Sequence, residues 1–262
     1  MFALTRYWHS IFFLMFVSLF STSVHAESKT ITLVADYWPP YNGTPGAVHE
    51  GYMVTLVRLV FEPLGYQVTY KMLPWKRAII ETRKGRFNAV IGATRKETPD
   101  FIFPEQEAGI SYLSFFVNKR SQWRYQHPGS LSTVYLGAID GYDYNDWFLD
   151  YLDANPDRVY LRYGYAPLRD NLSLLVNGRL DAVAGDVKAV HWIANELAVS
   201  NQIQHAGKDT SVAAQRIYHA FSPAKKSSAK YAELLSQGIE SLRQSGELQK
   251  LMKAYQLQDW RD

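Results

Sequence analysis

Apolar runs of strand length alternate with amphipathic stretches along most of the chain. Residues 30–35 (TITLVA) make one such run, stopped by Tyr37-Trp38-Pro39-Pro40-Tyr41-Asn42-Gly43, where two prolines and an Asn-Gly force a loop. Beyond Gly51, the residues Met53, Leu56, Val57, Val60, Phe61 and Leu64 fall at i, i+3, i+4, i+7, i+8 and i+11. That spacing predicts a helix closed by Gly65. Residues 66–73 alternate as a strand, 75–84 read as a helix ended by Gly85, and 87–91 as a buried strand. Strand, helix, strand, helix, strand implies parallel pairing through right-handed crossovers.

The pattern then begins again. Residues 134–139 predict a strand ending at Asp140-Gly141, followed by a helix over 145–154, a strand over 158–163, a helix over 168–177 and a strand over 180–184. A helix over 186–198, a strand over 217–221 and two final helices broken near Gly246 complete the chain. Lys84-Gly85-Arg86-Phe87-Asn88-Ala89-Val90-Ile91-Gly92-Ala93 is matched by Asn177-Gly178-Arg179-Leu180-Asp181-Ala182-Val183-Ala184-Gly185-Asp186. Each copy is a helix-ending glycine followed by an apolar strand that itself ends at glycine. Helix–Gly–strand junctions recur in any α/β protein, but the matched positions favour two similar lobes. In open parallel sheets ligands bind beyond the carboxyl ends of the strands. Two such lobes face each other across a cleft lined by 36–41 and 93–95 from one side, and by 140–144 and Asp186 from the other.

Composition adds location. Arg6 and His9 precede an apolar run, Ile11 to Phe20, then small polar residues and Val24-His25-Ala26. This is the layout of a secretory signal peptide cleaved after Ala26, and the run is too short to span a bilayer core of ~30 Å. Residues 1–26 are therefore read as signal peptide and the remainder as an exported, periplasmic protein. The chain contains no cysteine, which removes lipid attachment, thiol catalysis and thiolate metal sites. Net charge is +3 with the signs interspersed; neither the Lys-Arg doublet at 76–77 nor Lys225-Lys226 makes a nucleic-acid stripe. The 18 Tyr and 7 Trp supply either core or the walls of a polar cleft.

With these motifs in place, the chain from residue 28 onward resembles the family 3 bacterial extracellular solute-binding proteins, the polar amino-acid type of periplasmic binding protein. The resemblance is carried by Ala35-Asp36-Tyr37-Trp38-Pro39-Pro40-Tyr41, Gly51-Tyr52, Gly92-Ala93-Thr94 with Phe103-Pro104, and Gly137-Ala138-Ile139-Asp140-Gly141. Further along it is carried by Gly178-Arg179-Leu180-Asp181-Ala182 with Gly185-Asp186, Tyr218-His219-Ala220-Phe221-Ser222, and Ser245-Gly246-Glu247 before Tyr255. It implies an α/β fold, two-lobed and periplasmic-binding-protein-like of type II, each lobe a parallel-sheet α/β unit joined to the other by two hinge crossings. Lobe 1 would comprise 28–116 and 216–262, lobe 2 residues 117–215, with hinges near 115–119 and 214–217. The implied partner is a small polar, amino-acid-like solute captured in the cleft between the lobes, with an ABC permease or a sensor ectodomain behind it. The implied protein is a monomer with no nucleic acid, no stable membrane insertion and no cofactor.

In amino-acid binders of this family an acid at the position of Asp186 holds the ligand ammonium; Asp before a helix is also a favoured N-cap, and the two roles are compatible. The segment Thr94-Arg95-Lys96-Glu97-Thr98-Pro99-Asp100 departs from the pattern, because the carboxylate-binding arginine is missing from its usual place and Glu97 or Pro99 stands there. Arg95, from a shifted position, and Arg77, in Trp75-Lys76-Arg77-Ala78, are the two candidates; otherwise each is a solvated arginine. Asp36, Tyr37, Trp38, Tyr41, Trp75, Thr94, Gly141 and Tyr142 are the remaining ligand-binding candidates, the rings offering stacking and cation–π contact.

No His pair at metal-ligand spacing, no Gly-x-Ser-x-Gly elbow and no glycine-rich phosphate loop occurs in the sequence. In Asp140-Gly141-Tyr142-Asp143-Tyr144-Asn145-Asp146 the glycine comes too early for a calcium loop. The reading is therefore a binding protein with no catalytic or metal-ligating residue. The rival is a dehydratase-like periplasmic enzyme on the same scaffold, which needs one cleft carboxylic acid held neutral: Asp36, Glu97 or Asp186.

Overall fold

A computed structural model describes residues 29–261; the signal-peptide reading lies outside those residues. Lys29–Ala35 (β1) is an interior strand, paired in parallel with Tyr66–Met72 (β2) on one side and Ala89–Ala93 (β3) on the other. Helices cover a parallel sheet on both faces, so its inner strands read as continuous apolar runs. Accordingly Leu33, Val34 and Ala35 are all fully buried. β2 lies at the edge and alternates buried with exposed residues.

Tyr52–Phe61 (α1) turns its apolar stripe of Met53, Leu56, Val57, Val60 and Phe61 into the core and ends through a short 3-10 turn at Gly65. Trp75–Arg83 (α2) leads to β3. The chain continues through Gly109–Ser111 (β4), Ser114–Asn118 (β5), Leu136–Ile139 (β6), Asp146–Ala154 (α3), Val159–Arg162 (β7), Pro167–Val176 (α4) and Ala182–Gly185 (β8). Val187–Glu196 (α5), Ile203–Lys208 (β9), Gln215–Phe221 (β10), Ser228–Gln244 (α6) and Glu247–Ala254 (α7) follow.

Two five-stranded sheets result, ordered β2-β1-β3-β10-β4 and β7-β6-β8-β5-β9. In each, the three strands read as parallel from the sequence are parallel. A returning strand, β10 in the first sheet and β5 in the second, then pairs antiparallel with its neighbours on both sides. The sheets are thus mixed. The sequence repeat occupies equivalent places: β3 and β8 each join the central parallel strand to the returning strand. Each follows a helix-ending glycine of left-handed φ, +80° at Gly85 and +68° at Gly178.

Strands β4, β5 and β9 were not expected from the pattern. β4 is three residues long, too short for a period, and β9 (IQHAGK) is broken by polar residues and Gly207. The expected first crossing, near 115–119, needs correction. β5 starts at Ser114 and belongs to the second sheet, so the change of sheet falls at residues 112–113. The second crossing occupies 209–214, between β9 and β10. One core cluster runs through both halves, from Ile31 and Leu56 to Leu172 and Ile193, and a second lies wholly in the second half. In the second, Phe115 stacks on Tyr125 at 4.3 Å and meets Phe148 edge-on at 5.7 Å, a geometry aromatic pairs prefer.

Candidate functional site

The carboxyl ends of β1, β3, β6 and β8 converge, and the space between the two sheets is a cavity. The space in it for water-sized atoms is about 70 Å³. The first half lines it with Asp36, Trp38, Trp75, Gly92, Thr94 and Glu97; the second lines it with Tyr142, Asp143, Tyr144, Leu168 and Asp186. Tyr112 and Leu113, on the first crossing, close one wall.

Asp36 directly follows β1 and is only 2% exposed. Its Oδ2 accepts the Tyr142 hydroxyl from the opposite half at 2.6 Å, while Oδ1 accepts from no other residue. Burial pushes its carboxyl up to about 7 against the lowering effect of the Tyr142 bond. Glu97 accepts the Trp75 indole N–H at 2.6 Å. Burial above all, with the Asp143 and Asp36 charges adding, raises Glu97 to about 8. Tyr142 stands between two indoles, edge-on to Trp38 at 6.3 Å and to Trp75 at 6.0 Å. The Thr94 hydroxyl accepts the Glu97 N–H at 3.1 Å and donates across the cleft to Asp143.

Asp186 caps α5: its Oδ1 accepts from the Lys188 N–H at 3.0 Å and the Ala189 N–H at 3.3 Å. The same carboxylate accepts the Tyr41 hydroxyl from the first half at 2.9 Å, and the Tyr112 N–H on Oδ2 at 3.3 Å. Its expected N-cap place is therefore joined to a position in the cavity wall.

The remaining candidates lie elsewhere. Tyr41 is fully buried behind Trp38, stacked on it at 4.0 Å. Tyr37 reaches past the cavity, its hydroxyl donating to Glu196 of α5. Gly141 sits outside the cavity under the alkyl chain of Lys76, whose ammonium meets Asp140 at 2.7 Å. Neither candidate arginine lines the cavity. Arg77 faces an outer depression with Pro74, Ile80 and Tyr163. The Arg95 guanidinium lies 4.9 Å from the Phe103 ring and 4.7 Å from the Tyr218 ring, donating to the Pro104 carbonyl at 2.8 Å. Among the described residues no Lys, Arg or His lines the cavity, and four carboxylates do.

The sequence did not point to Tyr112, Leu168 or Gln215 as cleft residues. Asp143 and Tyr144 were expected in the cleft as part of 140–144, though not as ligand contacts, and Tyr112 comes from a crossing whose position no local pattern marks. Contacts across the gap are numerous. Besides those given, the Tyr37 N–H donates to the Tyr165 carbonyl at 2.8 Å and Gln215 Nε2 to the Asp143 carbonyl at 2.9 Å. The two halves are closed on each other.

Two α/β halves, joined by two crossings and enclosing a polar cavity, define a two-lobed binding protein of the periplasmic type. The chain belongs to the bacterial extracellular solute-binding proteins, family 3, whose family model matches residues 31–258. No curated protein matches the sequence. Among solved structures it is similar to a histidine kinase sensor domain resembling periplasmic binding proteins, at 21% identity, covering 88% of this chain and 98% of that one with a TM-score of 0.71. It is similar to a structure from work on glutathione import through GshT and the cystine importer TcyBC of Streptococcus mutans, at 17% identity, 89% and 99% coverage and a TM-score of 0.72. EhuB in complex with hydroxyectoine matches at 16% identity, 86% and 88% coverage and a TM-score of 0.71. At these identities the likeness establishes the fold alone. Among the described residues no helix is long and apolar enough to cross a membrane.

Proposed function

We propose that this protein is exported, works in the periplasm and captures a small polar, amine-bearing solute between its lobes, without covalent chemistry. Lobe 1 is read as β1–β4 with β10, α6 and α7, lobe 2 as β5–β9 with its helices, and the crossings at 112–113 and 209–214 as the hinge. The observation that carries the reading is the cavity itself: it is walled from both halves, and hydrogen bonds such as Tyr142–Asp36 and Tyr41–Asp186 link those walls across the gap. A ligand touching both walls favours the closed state by its differential affinity for it. The captured solute would be passed to an ABC permease or reported to a sensor ectodomain.

Asp36, Trp38, Trp75, Thr94, Tyr142 and Asp186 are proposed as ligand contacts, with Glu97 added. Tyr37, Tyr41 and Gly141 support closure. Ligand carried through purification, identified by native mass spectrometry, tests the assignment together with a rise in melting temperature on adding that solute back. A folded protein that binds no solute of any class would overturn it.

One observation favours a second reading, acid catalysis. Asp36 and Glu97 are both pushed toward the neutral acid at pH 7, as a dehydratase needs. Against it, prephenate-like substrates are anions and nothing cationic lines the cavity. Incubation with prephenate or arogenate, with product formation followed, separates the readings.

A further inference from the structure

The cavity pairs carboxylates with aromatic rings and has no built-in counter-charge. Of its four acids, Asp143 lies 3.6 Å from Lys96, and Asp186 is bonded to backbone N–H groups and the Tyr41 hydroxyl. Asp36 and Glu97 have no cationic partner within ion-pair distance. The neighbouring lysines are engaged outside: Lys76 on Asp140, Lys96 on Asp143 and Asp146, and Lys188 toward the Ile110 carbonyl at 3.4 Å. Both arginines suited to an α-carboxylate point away.

Resting on the solute-binding reading, we infer that the cavity selects an organic cation that carries no carboxylate: an amine, a guanidine or a quaternary ammonium compound. A nearly buried carboxylate with no cation beside it among the described residues, in the wall of the cavity between the two halves, is poised for a positive charge. Trp38, Tyr142 and Trp75 line the same cavity, and an aromatic ring attracts a cation held over its face. A carboxylate in the same space would meet Asp36, Glu97, Asp143 and Asp186 with no donor charge to offset them, and like charges in a water-poor site repel strongly. Burial raises the carboxyls of Asp36 and Glu97, and a cation beside them would favour their charged forms.

Matched pairs differing only by the carboxylate test this directly: agmatine against L-arginine, cadaverine against L-lysine and histamine against L-histidine. Titration calorimetry at pH 8 with the mature protein is expected to show at least one amine binding more than tenfold tighter than its amino acid. Asp36→Asn is expected to weaken that amine at least tenfold while the variant stays folded, because Asn keeps an acceptor for the Tyr142 hydroxyl. An amino acid equalling or beating its amine, no amine bound at all, or unchanged amine affinity in Asp36→Asn would each overturn the inference. A sugar, dicarboxylate or zwitterion found bound by mass spectrometry would overturn it too, yet leave the solute-binding reading standing. Only a protein that binds nothing from any class would remove both.

Discussion

Ligand affinity is expected to rise with pH from 5 to about 7, and close to one proton should leave the protein for each cation bound in that range. In the empty cavity, Asp36 holds its proton up to about pH 7 because burial disfavours the charged form. A cation at hydrogen-bond distance favours that charged form and returns the carboxyl toward its ordinary 3.8. Between those two limits binding displaces a proton, so the dissociation constant falls about tenfold for each unit of rising pH. The window is about three units wide, or about 4 kcal/mol at 1.36 kcal/mol per unit. Glu97, raised to about 8, steepens the slope toward two protons if the ligand's charge reaches it as well. The tyrosines facing Asp36 do not titrate across this range: Tyr142, Tyr144 and Tyr70 are all raised by burial. Aliphatic amines keep their own charge through pH 8. Calorimetry at five pH values, in buffers of different ionisation enthalpy, gives the slope and the proton count independently. A dissociation constant flat with pH, or one that weakens as pH rises, would refute the link between burial of Asp36 and cation binding.

Other outcomes follow from the same geometry. Between pH 4 and 8 the ligand-free Asp36→Asn variant should gain on the wild type by up to about 4 kcal/mol. The native protein binds the extra Asp36 proton only below about pH 7, so wild-type stability falls as pH rises from 3.8 to 7. His219, held down to about 4 by burial, is common to both proteins and cancels in chemical denaturation curves compared pH by pH. Lys76→Ala removes an exposed cross-cleft ion pair at 2.7 Å. It should cost no more than about 1 kcal/mol, shrink with salt, and shift closure measured by small-angle scattering without abolishing ligand binding. Leu172→Ala deletes a fully buried side chain of α4 and should destabilise by about 2–5 kcal/mol with the dissociation constant unchanged, as urea melts and calorimetry would report.

The fold was legible where local pattern and tertiary burial agree. The α1 stripe, the apolar β1 run and the two glycine-ended helices each state their surroundings in their own residues. β5 (SFFVN) was legible as apolar but not as to its sheet, because pairing with β8 and β9 is decided by residues some 65–95 positions away in sequence. Asp36, Thr94, Tyr142 and Asp186 were legible as cavity-wall positions because they follow strand carboxyl ends, where the topology must bring loops together. Arg77 was misjudged for a reason the helix itself contains. Trp75 faces the cavity, and at ~100° per residue the side chain two positions on points roughly the opposite way. Arg95 is held by Phe103, Tyr218 and the Pro104 carbonyl, a sandwich assembled from three separate segments that no spacing reveals.

Asp186 remains the residue whose role is most easily misassigned by experiment. Its Oδ1 caps α5 and accepts the Tyr41 hydroxyl, and its Oδ2 accepts the N–H of Tyr112 in the first crossing. Asp186→Ala would remove a cap worth ~1 kcal/mol and leave buried donors unpaired on α5, the crossing and Tyr41. Closure would suffer whether or not the carboxylate touches ligand, so lost binding in that variant assigns nothing. Asp186→Asn separates the two roles. Asn caps a helix about as well as Asp and still accepts through Oδ1, but its Nδ2 cannot accept the long Tyr112 N–H bond at 3.3 Å. Melting temperature should therefore fall by no more than a loss of about 1 kcal/mol implies, while the negative charge is gone. Amine affinity falling more than tenfold in this variant, with melting temperature within that margin, would place the cation on Asp186 as well as Asp36. Amine affinity held near wild type, beside a clear loss in Asp36→Asn, would make Asp186 a positioning residue that ties ligand capture to the crossing at Tyr112.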